Sequence, residues 1–251
     1  MFRELSVKIS RSLLGLLYPE GLYCLCCDKI IDSSRPYQLC NECMDGFKWA
    51  TGRTCTKCGK PLSVSNTRNI CYSCAEHTHF FRKGYTCSEY GTHERALLYK
   101  LKYNSDTAVA VMAGEAVADM LAYSCDCDYD LIIPVPAHRS RQLSRGYNQA
   151  QLIAEEAASK LGITCDSTIV ERTAHTDKLR TKTPDERRAI LDGVFRVRAG
   201  KNAAIRGLKI LVVDDIYTTG ATMDSVARVL YEAGAESVDI VSFASGADVV
   251  K

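Results

Sequence analysis

Apolar positions in the later two-thirds of the chain recur with two periods. Ala113, Ala116, Val117, Met120 and Leu121 fall at i, i+3, i+4, i+7 and i+8, which predicts an amphipathic helix over about 107–123, preceded by a shorter one near 94–103. The run DLIIPVP from Asp130 predicts a buried strand ended by Pro134 and Pro136, because proline cannot serve a central ladder. After a polar loop, Ala150, Ile153, Ala154, Ala157, Ala158 and Leu161 trace a helix that stops at Gly162. Strands are expected near 166–171, 194–197 and 208–213. Val226, Val229, Leu230 and Ala233 mark a helix before Gly234, and a last strand covers about 237–243. Strands alternating with helices of this length predict right-handed βαβ crossovers and a parallel sheet covered on both faces.

The first third is patterned differently. Leu5, Ile9, Leu13, Leu16 and Leu17 keep helical spacing between Arg3, Glu4, Lys8 and Arg11, so a helix ending before Pro19 is expected. Docking onto the protein is its first reading, and lying on a membrane surface is the second. The segment is too short and too charged for a secretion signal, and no run of 18 apolar residues offers a membrane span, so the expected location is cytoplasmic. Ten of the 13 cysteines lie between positions 24 and 87. Cys24/Cys27, Cys40/Cys43, Cys55/Cys58 and Cys71/Cys74 form four CxxC units, with twelve residues inside each successive pair of units. Two Cys₄ zinc sites in tandem satisfy that spacing, each two knuckles closing a tetrahedron. Ligation interleaved between the sites is the alternative, and Cys26 could replace a neighbour. A secreted disulfide framework fits poorly with an odd cysteine count. Cys87, Cys125, Cys127 and Cys165 read as ordinary thiols, and His77, His79 and His93 as surface residues. The expected organisation is an N-terminal helix over 1–19, a double zinc ribbon over 20–86 and an α/β domain over 87–251.

The segment ILVVDDIYTTGAT, residues 210–222, concentrates the chemistry. Four apolar strand formers lead to Asp214 and Asp215, which can accept hydrogen bonds from a vicinal diol or hold Mg²⁺ bound to it. Thr218, Thr219, Gly220, Ala221 and Thr222 then offer hydroxyls and approachable N–H groups to a phosphate at a helix N-terminus. An ordinary strand, turn and capped helix is the competing reading.

The cysteine-rich ribbon, PVPAHRSRQLSRGYNQAQLIA from Pro134, and VVDDIYTTGAT from Val212 together resemble the ComF family of competence proteins. The resemblance spans nearly the whole chain. It implies a type I phosphoribosyltransferase-like parallel sheet flanked by helices, preceded by a small double zinc ribbon, and an association with uptake of transforming DNA. By position, Asp214 and Asp215 bind the ribose hydroxyls of phosphoribosyl pyrophosphate (PRPP) and serve its chemistry, and Thr218 to Thr222 bind the 5′-phosphate. Pro134, Val135 and Pro136 lie by the pyrophosphate, and Arg145 opens the RGxN element. The chain departs from the family at Leu179, Lys182 and Ile190, where Gln, Leu and Asn are usual, which removes polar contacts for a loop over the sugar.

A net charge of +2 announces no nucleic-acid partner, so any such claim rests on patches. Arg139, Arg141 and Arg145 form one basic loop suited to pyrophosphate, and Arg180, Lys182, Arg187 and Arg188 another. Tyr37, Phe47, Trp49, Tyr72, Phe80 and Phe81, interleaved with Lys48, Arg53, Lys57, Lys60, Arg68, Arg82 and Lys83, either build the ribbon cores or stack single-stranded DNA. Docking a DNA-translocating ATPase is a third use of the ribbons, suggested by the family association. No segment declares a purine, pyrimidine or amine acceptor, so transferase activity and a non-catalytic adaptor both stand as readings.

Overall fold

A computed structural model describes residues 21–124, 127–174 and 183–248. The expected N-terminal helix, Cys125 and the family-motif positions Leu179 and Lys182 lie outside these residues. The chain divides into two compact units, Met1–Gly46 and Phe47–Lys251. Within the first, a CxxC knuckle and a short 3₁₀ turn lead into α1 (Asn41–Gly46), with Cys24, Leu25, Leu39 and Cys43 buried.

The second unit begins with another knuckle and α2 (Tyr72–Glu76), then runs β1 (Gly84–Glu89), α3 (Thr92–Tyr103), α4 (Ala108–Ser124) and β2 (Leu131–Pro134). It continues through α5 (Arg139–Arg145), α6 (Gln149–Leu161), β3 (Thr164–Cys165), β4 (Val170–Arg172), α7 (Pro184–Leu191) and β5 (Phe195–Val197). The last elements are β6 (Lys209–Tyr217), α8 (Ala221–Glu232) and β7 (Ser237–Ser245). The main sheet has the order β1-β7-β6-β2-β3, and every neighbouring pair is parallel. Ile210, Leu211, Val212 and Val213 are wholly buried, as a central strand covered on both faces requires. Cys55, Cys58, Cys71, Cys74 and Phe81 of the second ribbon join Ile210, Val212, Val226 and Leu230 in one apolar core.

Three expectations are corrected. The strands expected near 166–171 and 194–197 do not extend the parallel sheet; β4 and β5 pair antiparallel as a separate two-stranded sheet. Asp166 causes the break, because its Oδ1 accepts from the amide of Thr168 at 2.7 Å and its hydroxyl at 2.6 Å, turning the chain after β3. The polar loop after Pro136 contains α5, opened by His138 Nδ1 accepting from the Ser140 amide at 3.2 Å and closed by Gly146 at φ 84°. The third concerns β1, whose segment had no strand assigned and which forms the sheet edge beside β7.

Candidate ribose-phosphate site and zinc ribbons

The cysteines separate into two groups, Cys24, Cys27, Cys40 and Cys43, and Cys55, Cys58, Cys71 and Cys74, with the four sulfurs of each within 4.8 Å of one another. Each ribbon therefore closes on its own four cysteines, without interleaving. Cys27 and Cys40 sulfurs lie 3.7 Å apart, as do those of Cys58 and Cys71. Sulfurs on a tetrahedron around Zn²⁺ stand about 3.8 Å apart, given Zn–S bonds of about 2.3 Å, so both groups fit structural zinc. The knuckles also repeat in the backbone. Cys24 N–H donates to Lys29 O and Cys55 N–H to Lys60 O, each at 2.8 Å, while Cys40 and Cys71 amides donate to the sulfurs of Cys24 and Cys55, each at 3.3 Å. Burial opposes ionisation of Cys24, but amide donors outweigh it and bring this thiol down to about 7, toward the thiolate that zinc needs.

The second site forms where β6 meets α8. Asp214 and Asp215 stand inside a nine-residue strand, ahead of its last two residues, rather than after its end, so the expected strand was too short. Asp214 Oδ1 accepts from the Asp215 amide at 2.8 Å, and Asp215 is ion-paired with Lys102 from α3. Burial and then the Asp215 charge push the Asp214 carboxyl well up. Burial also opposes the charge on Asp215, but Lys102 overcomes it and holds this carboxyl below its ordinary value. The two acids of the pair are thus shifted in opposite directions.

After Tyr217 the chain turns through Thr218, Thr219 and Gly220, and α8 starts at Ala221. Gly220 has φ +83°, and a Cβ there would lie 2.6 Å from the Tyr217 hydroxyl and 2.8 Å from His79 Cε1, so only glycine fits. Asp224 in the first turn of α8 faces His79, whose Nδ1 is 2.6 Å from Asp224 Oδ2, and accepts from the Phe80 amide at 3.0 Å. Its charge is spent there. Pro134 pairs in register with Val213, and Val135 N–H donates to Val213 O at 2.9 Å, which sets the Pro134–Pro136 segment beside the acid pair. Asn148 Nδ2 donates to Val135 O at 2.9 Å, tying the RGxN element to that segment. Arg145 donates to Gln149 Oε1 at 3.0 Å and lies over the Tyr103 ring at 5.7 Å.

Sequence reasoning missed four contributors. Lys102 and Lys60 were helix and ribbon charges, and His79 was expected at the surface but is 5% exposed. Arg172 on β4 lies within electrostatic range of Asp214: burial and then Arg141 lower its guanidinium, and Asp214 opposes them. No local pattern announces any of these, since each partner lies on another element. Several ribbon charges proposed for DNA are engaged internally. Arg53 donates to the carbonyls of Asn66 and Arg68, Lys57 to those of Phe81 and Arg82, and Arg82 pairs with Asp239. Phe47 and Phe81 are buried, whereas Phe80 is exposed.

Residues 13–75 match the double zinc ribbon domain family, and residues 148–249 match the phosphoribosyl transferase domain family. Topology, cysteine geometry and these matches define a zinc-ribbon protein with a phosphoribosyltransferase-type domain. The chain is 24% identical over 244 residues to Competence protein ComFC of Bacillus subtilis, covering 88% of this chain and 93% of that protein. It is 34% identical over 111 residues to Competence protein F of Haemophilus influenzae, covering 44% of this chain and 48% of that one. It is 25% identical over 207 residues to DNA utilization protein YhgH of Escherichia coli, covering 80% and 88%. Among solved structures, a purine phosphoribosyltransferase from Pyrococcus horikoshii aligns at 18% identity and a TM-score of 0.34, over 55% of this chain and 75% of that one. The two domain matches and these relatives together support a ComF-family protein. Among the described residues, no helix is long and apolar enough to cross a membrane.

Proposed function

We propose that the chain binds PRPP, or a related phosphorylated ribose, with Mg²⁺ and works in the uptake or handling of DNA in the cytoplasm. The observation that carries the reading is the acid pair near the end of β6, separated by two residues from the Thr218–Thr222 turn into α8. Turn amides and threonine hydroxyls receive the 5′-phosphate, aided by the partial positive charge of the helix start. Asp214 and Asp215 hold the ribose diol, directly or through the metal's water shell, and Lys102 keeps Asp215 charged for that purpose. The adjacent carboxylates are the hard oxygen donors Mg²⁺ prefers, and the ion, when bound, neutralises the pyrophosphate oxygens. Arg172 supplies positive charge near Asp214, with Arg141 beside Arg172, where a diphosphate bound along Pro134–Pro136 develops charge on leaving. Transfer breaks the bond from ribose C1 to the pyrophosphate oxygen, the electron pair departing with pyrophosphate, while an acceptor nucleophile bonds to C1. The names of the relatives, competence protein and DNA utilization protein, support the DNA role. Zinc-bound thiolates suit a reducing compartment.

Calorimetric titration of PRPP with Mg²⁺ into wild type and into the Asp214→Asn/Asp215→Asn double variant tests the site. Binding by the wild type that the double variant loses is expected. No binding by wild type, or equal binding by both, contradicts the assignment.

A further inference from the structure

We infer that the second Cys₄ ribbon forms a wall of the ribose-phosphate site, with Lys60 as the residue that positions the phosphate turn. The ligand in this inference rests on the function proposed above; the positioning of the turn does not.

Four residues, Lys60, His79, Phe80 and Phe81, join this ribbon and the segment after it to the turn and the start of α8. Lys60 Nζ donates to Thr218 O at 3.3 Å and lies 5.9 Å from the centre of the Tyr217 ring. Phe81, which is fully buried, meets Tyr217 edge-on at 6.3 Å between centroids. His79 stacks on Phe81 at 4.7 Å and touches the one position in the turn where only glycine fits. His79 and the Phe80 amide then hold Asp224, so the turn is gripped at its entrance by Lys60 and at its exit by the segment after Cys74.

Lys60 is 5% exposed, and among the described residues no carboxylate pairs with it. A buried ammonium satisfied by one carbonyl and a ring face is incompletely compensated. Two negative groups can supply the balance. One is the zinc site that includes Cys58, two residues back, where four thiolates around Zn²⁺ carry a net charge of about −2. The other is a phosphate seated on the Thr218–Thr222 amides. Donation to Thr218 O ties the turn to the ribbon. Lys60 thereby links the ribbon to the phosphate, and the ligand class is a ribose 5-phosphate group.

The test is hydrogen–deuterium exchange across residues 216–223 in the full-length protein, comparing wild type, Lys60→Met and Lys60→Arg, each checked for two bound zinc ions. Exchange in Lys60→Met is expected to rise about tenfold in this segment alone, with protection of β7 unchanged and partial recovery in Lys60→Arg. Unchanged exchange in the segment, or an equal rise throughout the unit with loss of zinc, overturns the inference. Titration with ribose 5-phosphate provides the second arm, with affinity expected to fall about tenfold in Lys60→Met and less in Lys60→Arg. If wild type binds neither ribose 5-phosphate nor PRPP with Mg²⁺, the proposed function fails, and the exchange result still decides the role of Lys60.

Discussion

Lys29 and Lys60 hold the same place in two copies of one knuckle, two residues after Cys27 and Cys58. The preceding residue is left-handed in both, Asp28 at φ 60° and Gly59 at φ 74°. Flanking bridges repeat as well, Tyr23 with Ile30 and Thr54 with Pro61, both antiparallel. The surroundings differ. Lys29 has a side chain 57% exposed and pairs with Glu42 at the surface, whereas Lys60 is buried against Thr218. Cys27 is exposed, while Cys55, Cys58, Cys71 and Cys74 are all buried. Asp28 is exposed, but a Cβ on Gly59 would lie 2.6 Å from both Gly84 O and Tyr85 Cα, where the ribbon meets β1. One local structure, dictated by CxxC spacing and zinc geometry, is a small unit in one copy and part of a domain core in the other.

The largest effect that separates the two comes from removing a ligand. Cys58→Ser should cost the larger unit more than about 4 kcal/mol, because the site shares its core with β6 and α8. Cys27→Ser should lose one zinc and leave the main melting transition in place, so calorimetric melting with zinc analysis of both variants distinguishes them. Equal effects would erase the contrast. Next in size, Gly59→Asp, which gives the second knuckle the residue of the first, should destabilise by about 3 kcal/mol through collision with β1 as well as left-handed strain. Asp28→Gly should stay within about 1 kcal/mol, both read by denaturant unfolding.

A smaller effect concerns the acid pair. Lys102→Met removes the ammonium that keeps Asp215 charged, and affinity for PRPP with Mg²⁺ should fall about tenfold with melting little changed. Unaltered affinity would show that Asp215 does not need its partner. The smallest expected effect belongs to Lys29→Met, where a solvated ion pair is lost and no change in melting temperature or ligand affinity should be measurable.

The parts of this molecule that were legible in its sequence are those specified by neighbours in the chain. Helical periodicity located α3, α4, α6 and α8, and CxxC spacing paired the sulfurs of both ribbons. The DD pair and the Thr/Gly turn were readable because a strand, an acid pair and a glycine-bearing turn follow one another without interruption. The antiparallel pair β4–β5 was not, since a side-chain turn at Asp166 overrides the apolar run that follows it. Lys60 and Thr218 are 158 positions apart, and His79 and Asp224 are 145 apart. Nothing around His79 distinguishes a surface histidine from one buried beneath the Thr218–Gly220 turn. The same holds for Lys102, whose role depends on where α3 ends relative to β6.

Release of the two zinc ions to a colorimetric chelator that ignores magnesium, followed with and without PRPP and Mg²⁺, tests most directly whether the second ribbon is part of the ligand site. Because coupling between two sites is reciprocal, a ligand steadied by the ribbon must steady the ribbon in turn. One zinc ion should leave at an unchanged rate and the other about tenfold more slowly when the ligand is present. Two unchanged rates under conditions where calorimetry shows the ligand bound would contradict the account.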